Sequence, residues 1–195
     1  MKCQYCNKNF ENTLSFKNLF TNYNNFCPNC RKHISINVVA GEHKRFYFFD
    51  YEFVKDDIYN IKYFGNAQYC LKFKILFQNF FKQYSFDLIT TVPSNKTREI
   101  IRGYNHIDLI CELCNIKITK LLTCDYRQKQ AKLHKKRTSH KFQLLENDIN
   151  IDEIEKILII DDIYTSGNTL NSCASALKQQ FQKSEIFFLT IANSN

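Results

Sequence analysis

Residues 157–160, Ile-Leu-Ile-Ile, are four consecutive branched aliphatics that run directly into Asp161 and Asp162. An apolar run with no polar alternation predicts a strand buried on both faces, the kind found inside a parallel sheet covered by helices. Such a strand is central to its sheet. After Ile163 and Tyr164 the chain turns polar, Thr165-Ser166-Gly167-Asn168-Thr169, and then Leu170, Cys173, Ala174, Leu177 and Phe181 recur at helical spacing. The order is therefore strand, acidic pair, tight polar loop and amphipathic helix, which commits the chain to an α/β architecture with helices flanking a parallel sheet.

That order carries chemistry. Small and hydroxylated residues around Gly167 let successive backbone N–H groups turn inward, and a helix beginning near Thr169 adds the positive end of its dipole, which suits a dianionic phosphate. Adjacent residues on a strand point to opposite faces, so Asp161 and Asp162 diverge. At least one carboxylate then faces the crevice at the carboxyl end of the sheet, where open α/β folds bind ligands. A phosphate joined to two sugar hydroxyls is the matching ligand. The chain has four glycines, and neither a Rossmann nor a Walker fingerprint can be written with them.

At 195 residues the chain is one domain of ordinary size with room for a small appendage. A formal charge of +8 favours polyanionic partners, namely phosphates, nucleic acid or an anionic membrane surface. Abundant Lys, Asn and Ile is equally the mark of a biased genome, so only local clustering separates the two. The N-terminus lacks the apolar core of a signal peptide and no apolar run is long enough to span a bilayer, so no membrane insertion and a cytoplasmic location are expected.

Nine cysteines are many for a reducing compartment, and an odd number cannot all pair. Cys3-x-x-Cys6 and Cys27-x-x-Cys30 are two knuckles separated by an Asn- and Phe-rich spacer. Two knuckles supply the four thiolates of a closed, structural zinc site. An arm over residues 1–40 is too short for a core of its own, so zinc would fold it. Chelation is then expected to loosen the arm and leave the main sheet, in 41–195, intact. A third pair, Cys111 and Cys114, shares a helical stripe with Ile107 and Ile110, which favours a place in the core.

Between arm and signature the pattern predicts a strand over 45–53, a short helix over 54–63 ending before Gly65, and one long helix over 67–84. A buried strand over 87–92 stops at Pro93, and the following loop is a candidate anion site, with Pro93, Ser94, Asn95, Lys96 and Arg102 as its residues. A helix over 105–114 and strands over 117–124, 142–145 and 186–192 complete the reading. Residues 127–141 hold seven cations and no carboxylate: Arg127, Lys129, Lys132, Lys135, Lys136, Arg137 and Lys141. This block is either a solvated, self-repelling loop or a phosphate-binding surface.

Residues 157–169 resemble the phosphoribosyl pyrophosphate (PRPP) signature of type I phosphoribosyltransferases along its whole length. With the four cysteines of the arm, Thr91-Val92-Pro93, Arg102-Gly103-Tyr104-Asn105, and Gln130-Ala131-Lys132-Leu133 with Arg137, the chain is similar to the ComF family, and the likeness covers nearly all of it. His140, Thr91 and His106 depart from the residues common in that family at their positions. The resemblance implies a phosphoribosyltransferase-like domain behind a zinc-binding arm. It implies that Asp161, Asp162, Tyr164, Thr165, Ser166, Gly167, Asn168 and Thr169 bind PRPP with magnesium. It also implies a role in natural transformation, handling incoming single-stranded DNA alongside the uptake machinery. The same signature admits a phosphoribosyltransferase acting on a base or amine, or a module that senses PRPP without turnover.

Overall fold

A computed structural model describes residues 1–11, 24–94, 96–124 and 142–194. The main sheet has five strands: β1 (Asn37–Val39), β2 (Arg45–Asp50), β3 (Leu88–Thr91), β6 (Lys156–Tyr164) and β7 (Glu185–Asn193), in the order β1-β2-β7-β6-β3. All neighbours are parallel except β1, which pairs antiparallel with β2 at one edge. A separate antiparallel ribbon joins β4 (Leu122–Cys124) and β5 (Phe142–Leu144). The helices are α1 (Pro28–Arg31), α2 (Tyr51–Tyr63), α3 (Lys74–Gln83), α4 (Lys96–Arg102), α5 (His106–Leu113) and α6 (Asn168–Leu177).

Strand β6 is central, with β3 on one side and β7 on the other. Its side chains alternate between two cores, as the pleat demands. Leu158 and Ile160 join the larger core with α2, α3 and α5, whereas Ile157 and Ile159 pack with Leu170, Cys173 and Ala174 of α6. Both faces are covered, which is why the run carries no polar alternation. The larger core is unusually aromatic. Phe80 of α3 lies 5.1 Å from Phe46 and 6.1 Å from Phe48 of β2, ring centre to ring centre.

Several elements differ from the sequence expectation: β1 and α4 fall outside it, and the strand expected over 117–124 is shortened to β4 in the separate ribbon. The strand from residue 45 stops at Asp50, and Tyr51 to Phe53 already belong to α2, because Val54, Ile58 and Ile61 must reach the core at helical spacing. The expected long helix over 67–84 is broken into a 3-10 segment, Ala67–Phe73, and α3. Three residues per turn bring Cys70 and Phe73 onto one line, and both are fully buried. As expected, α2 ends before Gly65, whose φ of 66° provides the left-handed exit from the helix.

The described residues of the first forty share the core of the sheet. Cys3, Tyr5, Phe26, Cys27, Cys30 and Ile34 are buried together with Phe46, Phe48 and Phe49. The Tyr5 ring lies 5.3 Å from Phe49 and 5.6 Å from Phe53, and its hydroxyl donates to Asp57 of α2 at 2.5 Å. Strand β1, also within the first forty residues, is part of the main sheet. Among the described residues no helix is long and apolar enough to cross a membrane.

Candidate functional site

Two constellations stand out, one at each end of the sequence. In the arm, Asn7 N–H donates to Cys3 O at 2.9 Å and closes the first knuckle, with Asn7 in the left-handed region at φ 62°. The second knuckle opens α1: Pro28 follows Cys27 at the helix start, and Arg31 N–H donates to Cys27 O at 2.9 Å. The two turns meet. Cys27 N–H points at the Cys3 sulfur, 3.2 Å away, and the Cys6 and Cys27 sulfurs are 3.7 Å apart. All four sulfurs lie within 4.8 Å of one another. A tetrahedron with Zn–S bonds of about 2.3 Å needs sulfurs roughly 3.8 Å apart, so the donor set fits a zinc ion. The α5 cysteines behave differently: Cys111 is core, and Cys114 donates to Lys74 O at 3.5 Å.

The second constellation lies at the carboxyl end of β6. Pairing with β3 ends at Ile160, so Asp161 to Tyr164 extend past their neighbour on that side while pairing with β7 continues to Asn193. Alternation sends the two carboxylates apart, as expected. Asp162, buried, follows Leu158 and Ile160 and meets Lys62 Nζ at 2.7 Å and His106 Nε2 at 2.5 Å. Asp161 follows Ile157 and Ile159 toward the α6 side and accepts from the Asp162 N–H at 2.9 Å.

Their electrostatics diverge accordingly. Burial, reinforced by the Asp162 charge, pushes the Asp161 carboxyl up to about 7. Burial acts the same way on Asp162, but the Lys62 ammonium and the His106 hydrogen bond outweigh it and hold that carboxyl below the usual carboxylate range. Lys62 loses something to burial, yet the Asp162 charge raises it above the ordinary lysine value. One acid is thus a fixed anion, and its neighbour titrates near neutrality.

The polar loop follows. Gly167 has φ 75° and caps α6, and its carbonyl accepts from Asn171 N–H at 2.9 Å. A methyl group at this position would come within 2.2 Å of the Tyr164 hydroxyl, so Gly167 rests directly on the Tyr164 side chain. The Arg45 guanidinium lies over the Tyr164 ring, 3.7 Å from its centre. Thr165, Ser166 and Asn168 are exposed, and Thr169 is half-buried. Hydroxylated side chains, a left-handed glycine and a helix start together form a loop of the kind that suits phosphate.

The candidate anion loop after β3 is placed differently. The Ser94 hydroxyl donates to the Glu99 carboxylate, which also accepts from Asn105 Nδ2 at 3.1 Å. Arg102 is committed to the protein as well, donating from Nε to Lys62 O at 3.0 Å and from Nη1 to His106 Nδ1 at 2.9 Å. Pro93 ends the strand segment as expected, whereas Asn95, the Lys96 side chain and the basic residues Arg127, Lys129, Lys132, Lys135, Lys136, Arg137 and Lys141 lie outside the described residues. Near the end of β3, Thr91 Oγ1 donates to Asp108 at 2.8 Å, and Lys120 Nζ bonds to both.

Sequence reasoning passed over Lys62 as a site residue and noted His106 only as a departure. Nothing local marks Lys62, which sits in an ordinary amphipathic helix about a hundred residues from Asp162. His106 carried a faint signal, being a titratable residue just after an Asn helix cap whose side chain accepts from Ile107 N–H and Asp108 N–H.

No family model matches this chain. It is 26% identical over 176 residues to "Competence protein ComFC" of Bacillus subtilis (strain 168), a match covering 86% of this chain and 72% of that protein. A solved hypoxanthine phosphoribosyltransferase from Staphylococcus aureus aligns with 84% of this chain and 70% of its own, at 12% identity and a TM-score of 0.37. Over most of its length the chain resembles the ComF family, and it carries a cluster of four cysteines near its N-terminus.

Proposed function

We propose that this chain is a ComF-type protein of natural transformation that handles incoming single-stranded DNA in the cytoplasm and binds PRPP with magnesium at the end of β6. The observation that carries the reading is Gly167, left-handed and seated on Tyr164, opening a ten-residue helix directly after an acidic strand end. In this reading the cradle over 165–169 takes the 5-phosphate, and Asp161 accepts from the sugar hydroxyls. Magnesium, bound together with the pyrophosphate, would offset part of its charge. Zinc, held by Cys3, Cys6, Cys27 and Cys30, is structural. The competence name of the B. subtilis relative supports the uptake role, and the acid-free basic block over 127–141 supplies charge for a DNA backbone.

Calorimetric titration with PRPP and magnesium tests the ligand. Thr165→Ala with Ser166→Ala should weaken binding by at least about tenfold, since each hydroxyl donor to a charged group is worth roughly 1.5–3 kcal/mol. Equal affinity in parent and variant would move the site elsewhere. Oligonucleotide binding, titrated with salt, tests the DNA role: affinity should fall linearly on logarithmic axes. Neutralising Lys132, Lys135, Lys136 and Arg137 should flatten that slope. Absence of DNA binding at low salt, together with rapid ribosylation of a base or amine in a substrate screen, would replace the uptake role with a transferase.

A further inference from the structure

We propose that Lys62 is the pyrophosphate-binding cation of the β6 crevice, and that Asp162 serves to position it. The inference rests on the reading of the site as one for PRPP. It starts from a network reaching the crevice from three elements. Arg102 donates from Nη1 to His106 Nδ1, and a guanidinium can only donate, so Nδ1 is the acceptor and the ring proton sits on Nε2. His106 Nε2–H therefore donates to Asp162 Oδ2, at 2.5 Å. Lys62 Nζ reaches the same oxygen at 2.7 Å. Asp162 Oδ2 is thus engaged by two donors, which fixes the carboxylate against Lys62 and His106.

The last turn of α2 is held in place at two points. Tyr104 Oη donates to Ile61 O at 3.0 Å, and Arg102 Nε donates to Lys62 O at 3.0 Å. Helix-end carbonyls need partners, but water would serve at the surface. Here the last residue of α4, Arg102, and Tyr104 just after it fix the backbone that carries the ammonium. Lys62 is also the outer member of its ion pair, with 22% of its side chain exposed against 11% for Asp162. An ammonium has three N–H donors, and Asp162 engages one of them. The other two are available to an anion arriving from the crevice.

Stability gives little reason to retain this pair. Partly desolvated ion pairs are often no better than apolar replacements of the same volume, because dehydration offsets the attraction. A site that must grip an anion needs a cation already oriented, and a buried carboxylate provides the orientation. Arg102, one of the two cations expected from sequence to meet the anion, has donors committed to Lys62 O and His106. Its part is to position Lys62 and His106.

The test uses the zinc-loaded full chain and titrates inorganic pyrophosphate with magnesium and, separately, ribose 5-phosphate. Lys62→Gln, which keeps a donor for Asp162 but no charge, should weaken pyrophosphate binding by about ten- to hundredfold. Ribose 5-phosphate affinity should stay unchanged, and Lys62→Arg should recover most of the pyrophosphate affinity. If Lys62→Gln does not fold, Lys62→Met with Asp162→Asn, which removes both charges, takes its place with the same expected loss. Pyrophosphate bound equally by parent and variant, while Thr165→Ala with Ser166→Ala still abolishes ribose 5-phosphate binding, would overturn the role of Lys62 and leave the PRPP site standing. A parent that binds neither ligand would overturn both.

Discussion

Asp161 and Asp162 are chemically identical neighbours on one strand, and their surroundings give them different protonation. Asp161, pushed up to about 7 by burial and the adjacent charge, holds its proton in the fold at pH values where the unfolded chain has released it. Its contribution to stability therefore declines as pH rises from about 4 to about 7 and then levels off. Asp161→Asn removes that decline, so the melting temperature of the variant relative to the parent should rise from pH 5 to pH 8. A constant offset across that range would contradict the assignment. For Asp162 the sign reverses: its stabilisation is present above the usual carboxylate range and is lost only in strong acid, as pH falls through its depressed value. Gly167 is the other decisive residue. Gly167→Ala meets both the left-handed backbone and the Tyr164 hydroxyl, and the backbone term alone costs about 1–2 kcal/mol. If the ring contact adds to this, Tyr164→Ala with Gly167→Ala should lose less than the sum of the two single variants in a denaturant cycle.

At the scale of elements, the arm changes most between sequence and structure. Spacing alone gave its ligands, because Cys-x-x-Cys is a local turn. How it packs against the sheet is set by contacts no spacing reports. Tyr5 reaches Phe49, Phe53 and Asp57, and Ile34 is buried in the core of the sheet. Removing zinc should therefore expose part of the main core instead of loosening the arm alone. A chelator is expected to lower the melting temperature of the whole chain and increase binding of a dye that reports exposed apolar surface. An unchanged main transition would restore the picture of a separable arm. The segment 67–84 gives the same lesson. Its apolar spacing marked a helical segment facing the core, but the period could not distinguish three residues per turn from 3.6 over seven residues, and the burial of Cys70 with Phe73 settled it.

Over the whole molecule, one core joins arm, sheet, α2, α3 and α5, and a second lies between the sheet and α6. Phe80 sits in the aromatic part of the first, within 6.1 Å of Phe46, Phe48, Phe81, Tyr84 and Phe86, centre to centre. Phe80→Ala should cost about 3–5 kcal/mol in denaturant unfolding. Because the arm shares this core, zinc release should follow the same transition as loss of helix signal. Zinc leaving well before the helices unfold would show that the two parts are uncoupled.

The sequence by itself determined the central strand, the divergence of its two acids, the loop and helix behind them and the pairing of four cysteines into two knuckles. Each of these is set by interactions within a few residues: alternation along a strand, a left-handed glycine, a turn between paired cysteines. Only the tertiary structure decided that Lys62 and His106 flank Asp162, that Arg102 braces them, that Arg45 stacks on Tyr164, and that Tyr5, Phe26 and Ile34 pack into the main core. These partners come from elements tens to more than a hundred residues apart. The packing of helices on the sheet, and no local pattern, brings them within hydrogen-bonding distance.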